Sequence, residues 1–385
     1  MKSNLSNLSM LSILLFLFVT ACNSNKESSL NLVAEHQKVV VAYVHNSFPD
    51  WGENYERLSP ITHINFAFAN VNNGTVSGDY EETKEKLAAL VELKKIKPDL
   101  AIIISLGGWG WSGGFSDASF SENSRTIFTN SAVDFLIEHQ LDGIDIDWEY
   151  PGQTGNNNTY RPEDKQNFTK VLAMLKVKLD SLSDITKQKY WLTIATGANE
   201  NWINNTEMDK VGKIVDLVNL MTYDFKGEWS ENTGHHSNLF DYTTDSIPSN
   251  ISSDQAVQKF INAGVPANKL TLGVPFYARF WKGVENSNKI FESNYNGKAG
   301  AYSWLKLDSM SKANTSYHYY WDSTAHAPYF WSEDSLELIS FENETSLYDK
   351  TKYIHNKNLA GIMFWQYTQD NGRLISAINE GLKKK

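Results

Sequence analysis

From Lys38 onward the chain alternates short apolar runs with longer stretches whose apolar residues recur every three or four positions. The short runs read as strands: Val39 to Val44, Ile61 to Ala69, Ala101 to Gly107, Leu141 to Glu149, Tyr190 to Thr196, Ile214 to Tyr223, Leu270 to Tyr277 and Leu359 to Tyr367. Their near-continuous apolar character suits strands covered on both faces. Helical periodicity marks segments around Thr83 to Lys95, Ser121 to His139, Pro162 to Leu182, Asp254 to Ala263 and Ser346 to Lys357. Between Tyr223 and Asp254 the pattern is unclear. Eight strands separated by helices predict an α/β chain folded as a (β/α)8 TIM barrel, with its site at the carboxyl ends of the strands. The competing architecture, an open doubly wound sheet, would carry a glycine-rich turn after its first strand. HNSFPDWG, which follows Val44, offers none.

One spacing breaks the rhythm. Residues 278–358 separate the seventh strand from the eighth, too long a stretch to be a bare loop. Residues 281–341 are therefore expected to form a small α+β insertion subdomain. Its aromatics, Tyr302, Trp304, Tyr317, Tyr319, Trp321, Tyr329 and Trp331, alternate in places like antiparallel strands. On the catalytic face it would wall one side of a cleft.

The fourth strand carries the chemistry. In LDGIDIDWEYP, Asp145, Asp147 and Glu149 alternate with Ile144, Ile146 and Trp148, so the carboxyls share one face and the apolar set the other. Carboxylates about 7 Å apart on a poorly solvated face cannot all ionise at neutral pH. One that keeps its proton is a general acid. An acidic triad is also chemically open to a metal. The bland reading, a solvated acidic edge strand, fits poorly with the bulky apolar face and the aromatics Trp148 and Tyr150.

Composition narrows the partner class. A net charge of −10 argues against nucleic acid or an anionic membrane surface. Twelve Trp and eighteen Tyr suit a flat, amphipathic ligand as well as an aromatic core. Cys22 is the single cysteine, which excludes an intrachain disulfide. It follows a Lys-led start and the apolar run Leu11 to Val19, too short to span a bilayer comfortably. The string VTAC is similar to a bacterial lipobox. Residues 1–21 thus read as a lipoprotein signal peptide, Cys22 as the lipidation point and 22–37 as a flexible tether, leaving 38–385 as the catalytic barrel. The product is expected outside the cytoplasm, either anchored through Cys22 or secreted.

Several motifs together resemble glycoside hydrolase family 18 chitinases. LDGIDIDWEYP matches the DxxDxDxE signature at Asp142, Asp145, Asp147 and Glu149. SLGG at Ser105 to Gly108, MTYD at Met221 to Asp224, GVPFYAR at Gly273 to Arg279 and Trp365 in MFWQY match the strand-three, -six, -seven and -eight motifs. The resemblance implies hydrolysis of chitin or chito-oligosaccharides by a retaining, substrate-assisted route, which is an exception to the two-carboxylate scheme. By resemblance Glu149 protonates the glycosidic oxygen, Asp147 holds the acetamido N–H, and Asp145 shares a proton with Asp147. Tyr223 bonds the acetamido oxygen, Asp224 distorts the reacting sugar and Trp365 floors it. Tyr43, Phe66, Gly108, Tyr150, Met221, Tyr277 and Arg279 would border the pocket, with Ser105 near the buried aspartate. Trp109 and Trp229 would stack on sugar rings. Asp142, out of phase with the other three, suits a turn or supporting role. His235 and His236, in a polar loop, suit the surface. No cofactor or metal and a monomeric state are expected. An endo-β-N-acetylglucosaminidase and a non-catalytic chitin-binding lectin are the alternatives.

Overall fold

The computed structural model describes residues 38–47, 57–244, 247–248, 251–285, 289–313 and 316–384. The expected signal peptide, Cys22 and the tether lie outside the described residues. Lys38–Lys385 form one compact unit.

Eight parallel strands make the barrel. They are β1 (Val39–His45), β2 (His63–Asn72), β3 (Ala101–Gly107), β4 (Gly143–Asp147), β5 (Trp191–Gly197), β6 (Leu217–Met221), β7 (Leu270–Pro275) and, last in the chain, Gly361–Trp365. Neighbours in sequence pair in parallel from β1 to β7. The last strand then inserts between β7 and β1 and closes the ring. Closure leaves no barrel strand with a free edge, so every ladder position is satisfied within the fold.

Each strand has an outward face and an inward one. Outward residues such as Ile64, Ile104, Ile144, Leu192 and Val218 are buried in the main core under the helices. Inward residues include Tyr43, Ser105, Asp145, Thr193, Asn219 and Thr271, a polar set joined by hydrogen bonds. Polar groups in a closed interior persist only when they pair with one another. The covering helices are Thr83–Glu92, Glu122–Glu138, Asp164–Thr186, Met208–Ile214, Ser253–Asn262, Glu344–Asn356 and Arg373–Lys383. Two of them begin with reciprocal capping boxes, Ser121 with Ser124 and Asn343 with Ser346.

β6 is shorter than the pattern predicts. Residues from Met208 to Ile214 are helical, and the strand begins only at Leu217. The apolar run IVDLV continued across this helix end, and periodicity alone does not mark where a short helix gives way to a strand.

After β7 the chain builds a five-stranded antiparallel sheet before returning to the barrel. Its strands are β8 (Tyr277–Lys282), β9 (Ala299–Ser303), β10 (His318–Asp322), β11 (Ala327–Ser332) and β12 (Glu337–Ser340), in the order β9-β8-β12-β11-β10. The barrel's closing strand, Gly361–Trp365, is therefore β13. Phe280, Tyr302, Ile339 and Phe341 of this region belong to the barrel's own core. Trp281, Phe291, Trp331 and Leu338 form a smaller core of their own.

Candidate active site

β4 sorts its side chains as the alternation requires. Ile144, Ile146 and Trp148 are buried outward, with Trp148 stacked on Phe115 at 5.3 Å and edge-on to Phe168 at 5.9 Å. The three carboxyls line up on the other side. Asp145 lies deepest and is fully buried. Tyr43 Oη donates to its Oδ2 at 2.9 Å, Ser105 Oγ to the same oxygen at 2.7 Å, and Thr193 Oγ1 to its Oδ1 at 2.5 Å. Burial pushes the Asp145 carboxyl up, and these donors oppose the rise.

Asp147 sits one step above, nearly buried, and its Oδ1 has no hydrogen-bond partner. Burial raises it well above the usual carboxylate range, and the charges of Glu149 and Asp145 add to this. Glu149, 8% exposed, opens into the cleft. Burial lifts its carboxyl to about 7, Asp224 contributes in the same direction, and a hydrogen bond from Tyr150 opposes. Burial thus raises all three carboxyls above the range of a free carboxyl.

The backbone beside this row approaches closely. Gly107 and Gly108 have φ of 102° and 75°, and Gly108 N donates to Asp147 O at 2.8 Å. A Cβ at Gly107 would stand 2.4 Å from the same carbonyl, so the SLGG glycines are required for the approach of β3 to β4.

Facing the carboxyls is the end of β6. Asp224, with φ of 60°, receives both arms of Arg279, and His236 Nδ1 lies 3.7 Å from its Oδ1. Burial would raise Asp224, but His236 and Arg279 outweigh it and hold the carboxyl at about 2. Tyr223 packs edge-on to Tyr277 at 6.2 Å. Trp365, at the end of β13, lies 5.9 Å from Tyr43 and stacks on Phe68 at 5.6 Å.

Together these groups line an open cleft of about 1060 Å³. Of the residues singled out in the sequence, Tyr43, Trp109, Asp147, Glu149, Tyr150, Met221, Tyr223, Asp224, Trp229, Tyr277, Arg279 and Trp365 reach it. Asp145 and Ser105 lie behind it, bonded to each other, whereas Gly108, expected to border the pocket, does not line the cleft; its neighbour Gly107 does. Asp142 lies apart: Lys94 Nζ meets its Oδ1 at 2.5 Å and Ile102 N donates to its Oδ2 at 2.8 Å, bracing neighbouring strands.

Three further expectations need correction. Phe66 does not border the pocket; it is fully buried in the core outside the barrel. The register of β2 against β3 shifts between Ala67 and Ala69, and Phe68 is the ring that lines the cleft. His235 and His236 are not at the surface. Both are fully buried, and burial pushes both rings below the ordinary histidine range, so each is neutral near pH 7. His235 is enclosed by Phe291, Tyr242 and Tyr329, a core that only the fold of residues distant in sequence creates. His45, Tyr80 and Trp111, which belong to none of the motifs, share one wall of the cleft. Trp111 two positions after Trp109 was the available signal; Tyr80 had none. Among the described residues, no three His, Cys, Asp or Glu side chains converge as a metal-ligand set.

The sequence profile described as Glycosyl hydrolases family 18 matches residues 39–370. Chitinase A1 of Niallia circulans is 36% identical over 85% of this chain and 56% of its own length, so the chain spans little more than half of that relative. Chitinase 1 of Aphanocladium album is 33% identical over 87% of this chain and 84% of its own. Among solved structures, a glycoside hydrolase family 18 N-acetylglucosaminidase from Paenibacillus barengoltzii superposes with a TM-score of 0.82 at 38% identity, covering 89% of this chain and 99% of that one. With a closed parallel barrel, an acidic row on its fourth strand and a family match running nearly end to end, this chain belongs to glycosyl hydrolases family 18.

Proposed function

We propose that this chain is a chitinase, cleaving β-1,4 linkages between N-acetylglucosamine units with retention and with Glu149 as general acid and base. The observation that carries the reading is the state of Glu149: a cleft-facing carboxyl lifted to about 7 can still give up a proton near neutrality. That proton passes to the glycosidic oxygen as the bond to the anomeric carbon breaks. The substrate's own acetamido oxygen forms the replacing bond. Asp147, poised above Asp145 with an unpartnered oxygen, accepts the acetamido N–H and, by sharing its proton with Asp145, offsets the positive charge that develops there. Water then attacks the anomeric carbon, its proton returns to Glu149, and the acetamido group is released with net retention. Tyr223 supports the acetamido oxygen, Asp224 the sugar's distorted shape, and Trp365 its apolar face. The antiparallel sheet β8–β12 serves as one wall, since Tyr277, Arg279 and Tyr302 reach the cleft from it.

The VTAC string supports a further part of the reading: export of the protein, either anchored by lipid at Cys22 or secreted. Glu149→Gln tests the chemistry by keeping the size of the side chain and removing the acid. Turnover of chitohexaose should fall by several orders of magnitude while chito-oligomer binding persists. Persistent turnover would remove Glu149 from its role. Product profiling of chitohexaose beside an N-glycoprotein separates the alternatives. Cleavage within the glycoprotein core alone would favour an endo-β-N-acetylglucosaminidase, and binding without turnover by the wild type a lectin.

A further inference from the structure

The ladder that carries the acidic row stops short of Glu149. β4 pairs with β3 as far as Asp147 opposite Gly107, and with β5 only to Ile146 opposite Ile194. Glu149 therefore stands two residues past the last paired position, where neither its N–H nor its carbonyl has a strand to bond.

Side chains from two loops take over both groups. The Ser112 hydroxyl accepts from Glu149 N at 2.8 Å, and it also lies 2.8 Å from Gly108 O and 3.1 Å from Asp147 O as a donor. Asn158 Nδ2 donates to Glu149 O at 3.1 Å. Ser112 is fully buried, and Asn158 is partly exposed in the loop that follows the acid. That loop is itself tied down: Asp164 accepts from Arg161 N at 2.7 Å, Gly152 N at 3.4 Å and Ser116 Oγ at 2.8 Å. It also presses close, since a Cβ at Gly155 would fall 2.0 Å from Glu149 O.

We propose that Ser112 and Asn158 are positioning residues, which together clamp the backbone of Glu149 and hold its carboxyl at the height where the scissile oxygen sits. Ser112 accepts from the amide of Glu149 and directs its one proton to Gly108 O, the nearer of its two acceptors, so one hydroxyl ties the backbone of the acid to the glycine turn after β3. Asn158 fixes the other side of the same α-carbon. The proposal rests on Glu149 being the acid.

The test uses Ser112→Ala, Asn158→Ala and the double variant in the full chain, assayed on chitohexaose beside Glu149→Gln. Misplacing a catalytic group by a fraction of its working distance costs roughly 10- to 100-fold in rate, and the double variant should lose about that much in kcat with KM within about threefold of wild type. A second readout follows from enclosure. A freed Glu149 gains solvent, so the alkaline limb of the kcat/KM profile should move to lower pH in both single variants. The other groups facing Glu149, namely Asp147, Tyr150, Tyr223 and Asp224, are unchanged in these variants. A lower Tm with unaltered kcat and an unaltered limb would overturn the clamp and leave these residues purely structural. If Ser112→Ala does not fold, Asn158→Ala on its partly exposed loop decides the matter by the same criteria. Turnover retained in Glu149→Gln would instead overturn the acid assignment itself, whatever the clamp variants do.

Discussion

Arg279 holds Asp224 by both carboxylate oxygens, Nε to Oδ1 at 2.8 Å and Nη2 to Oδ2 at 2.9 Å. The same guanidinium lies over the Trp229 ring at 4.6 Å and the Tyr277 ring at 5.4 Å. One planar cation thus fixes an acidic group at the end of β6 and an aromatic at the cleft rim. A lysine carries the charge without the fork.

Arg279→Ala should therefore lower kcat/KM on chitohexaose by roughly 10- to 100-fold, the loss of a two-armed charged bond near the reacting sugar. Arg279→Lys should recover only part of it. Equal rates for the lysine variant and the wild type would show that charge alone suffices.

Glu149 must carry its proton to act as an acid, so kcat/KM should decline above about pH 7. Stability follows the same group with a definite sign. A carboxyl raised from 4.5 to about 7 in the native state favours the fold at low pH, and that contribution disappears as pH climbs through this interval. Glu149→Gln, which cannot ionise, should gain Tm relative to wild type between about pH 4.5 and 7. Thermal scans across pH 4 to 8 measure the difference; a constant offset would contradict the assignment.

Trp109 and Trp229 are 52% and 58% exposed, unusual for indoles that have only packing to do. Replacing either with alanine should raise KM for chitohexaose by about 5- to 10-fold, on the order of 1 kcal/mol per lost ring contact, with little change for the shortest substrates. A uniform effect at every oligomer length would point to a general disturbance of the cleft.

Cys22→Ser should move the protein from membrane fractions to the soluble exported pool, as fractionation and immunoblotting can measure. Continued anchoring would remove the lipidation reading.

Most of the barrel was legible because a strand covered on both faces writes itself as a short apolar run, and the helices between write themselves with a longer period. The acidic row was legible for a related reason. Asp145, Asp147 and Glu149 interrupt such a run at alternate positions, which no other demand of the fold explains. What escaped depends on contacts between distant segments. Phe66 and Phe68 differ in role through a register shift on β2 that leaves no mark in composition. His235 and His236 read as polar loop residues because their enclosing partners, Phe291, Tyr329 and Asp224 among them, come from elsewhere in the chain. Ser112 and Asn158 were invisible for the same reason, since a hydroxyl replacing a missing ladder partner looks like any loop serine.

The closing strand has a consequence for how this protein comes into being. Gly361–Trp365 is the one stave between β7 and β1, and it brings Trp365 with it. Without Gly361–Trp365, β7 and β1 have unpaired edges across a single gap and the cleft lacks Trp365. The cleft is therefore completed only when the barrel strand farthest along the chain docks between two strands that precede it, so its assembly waits on closure of the ring.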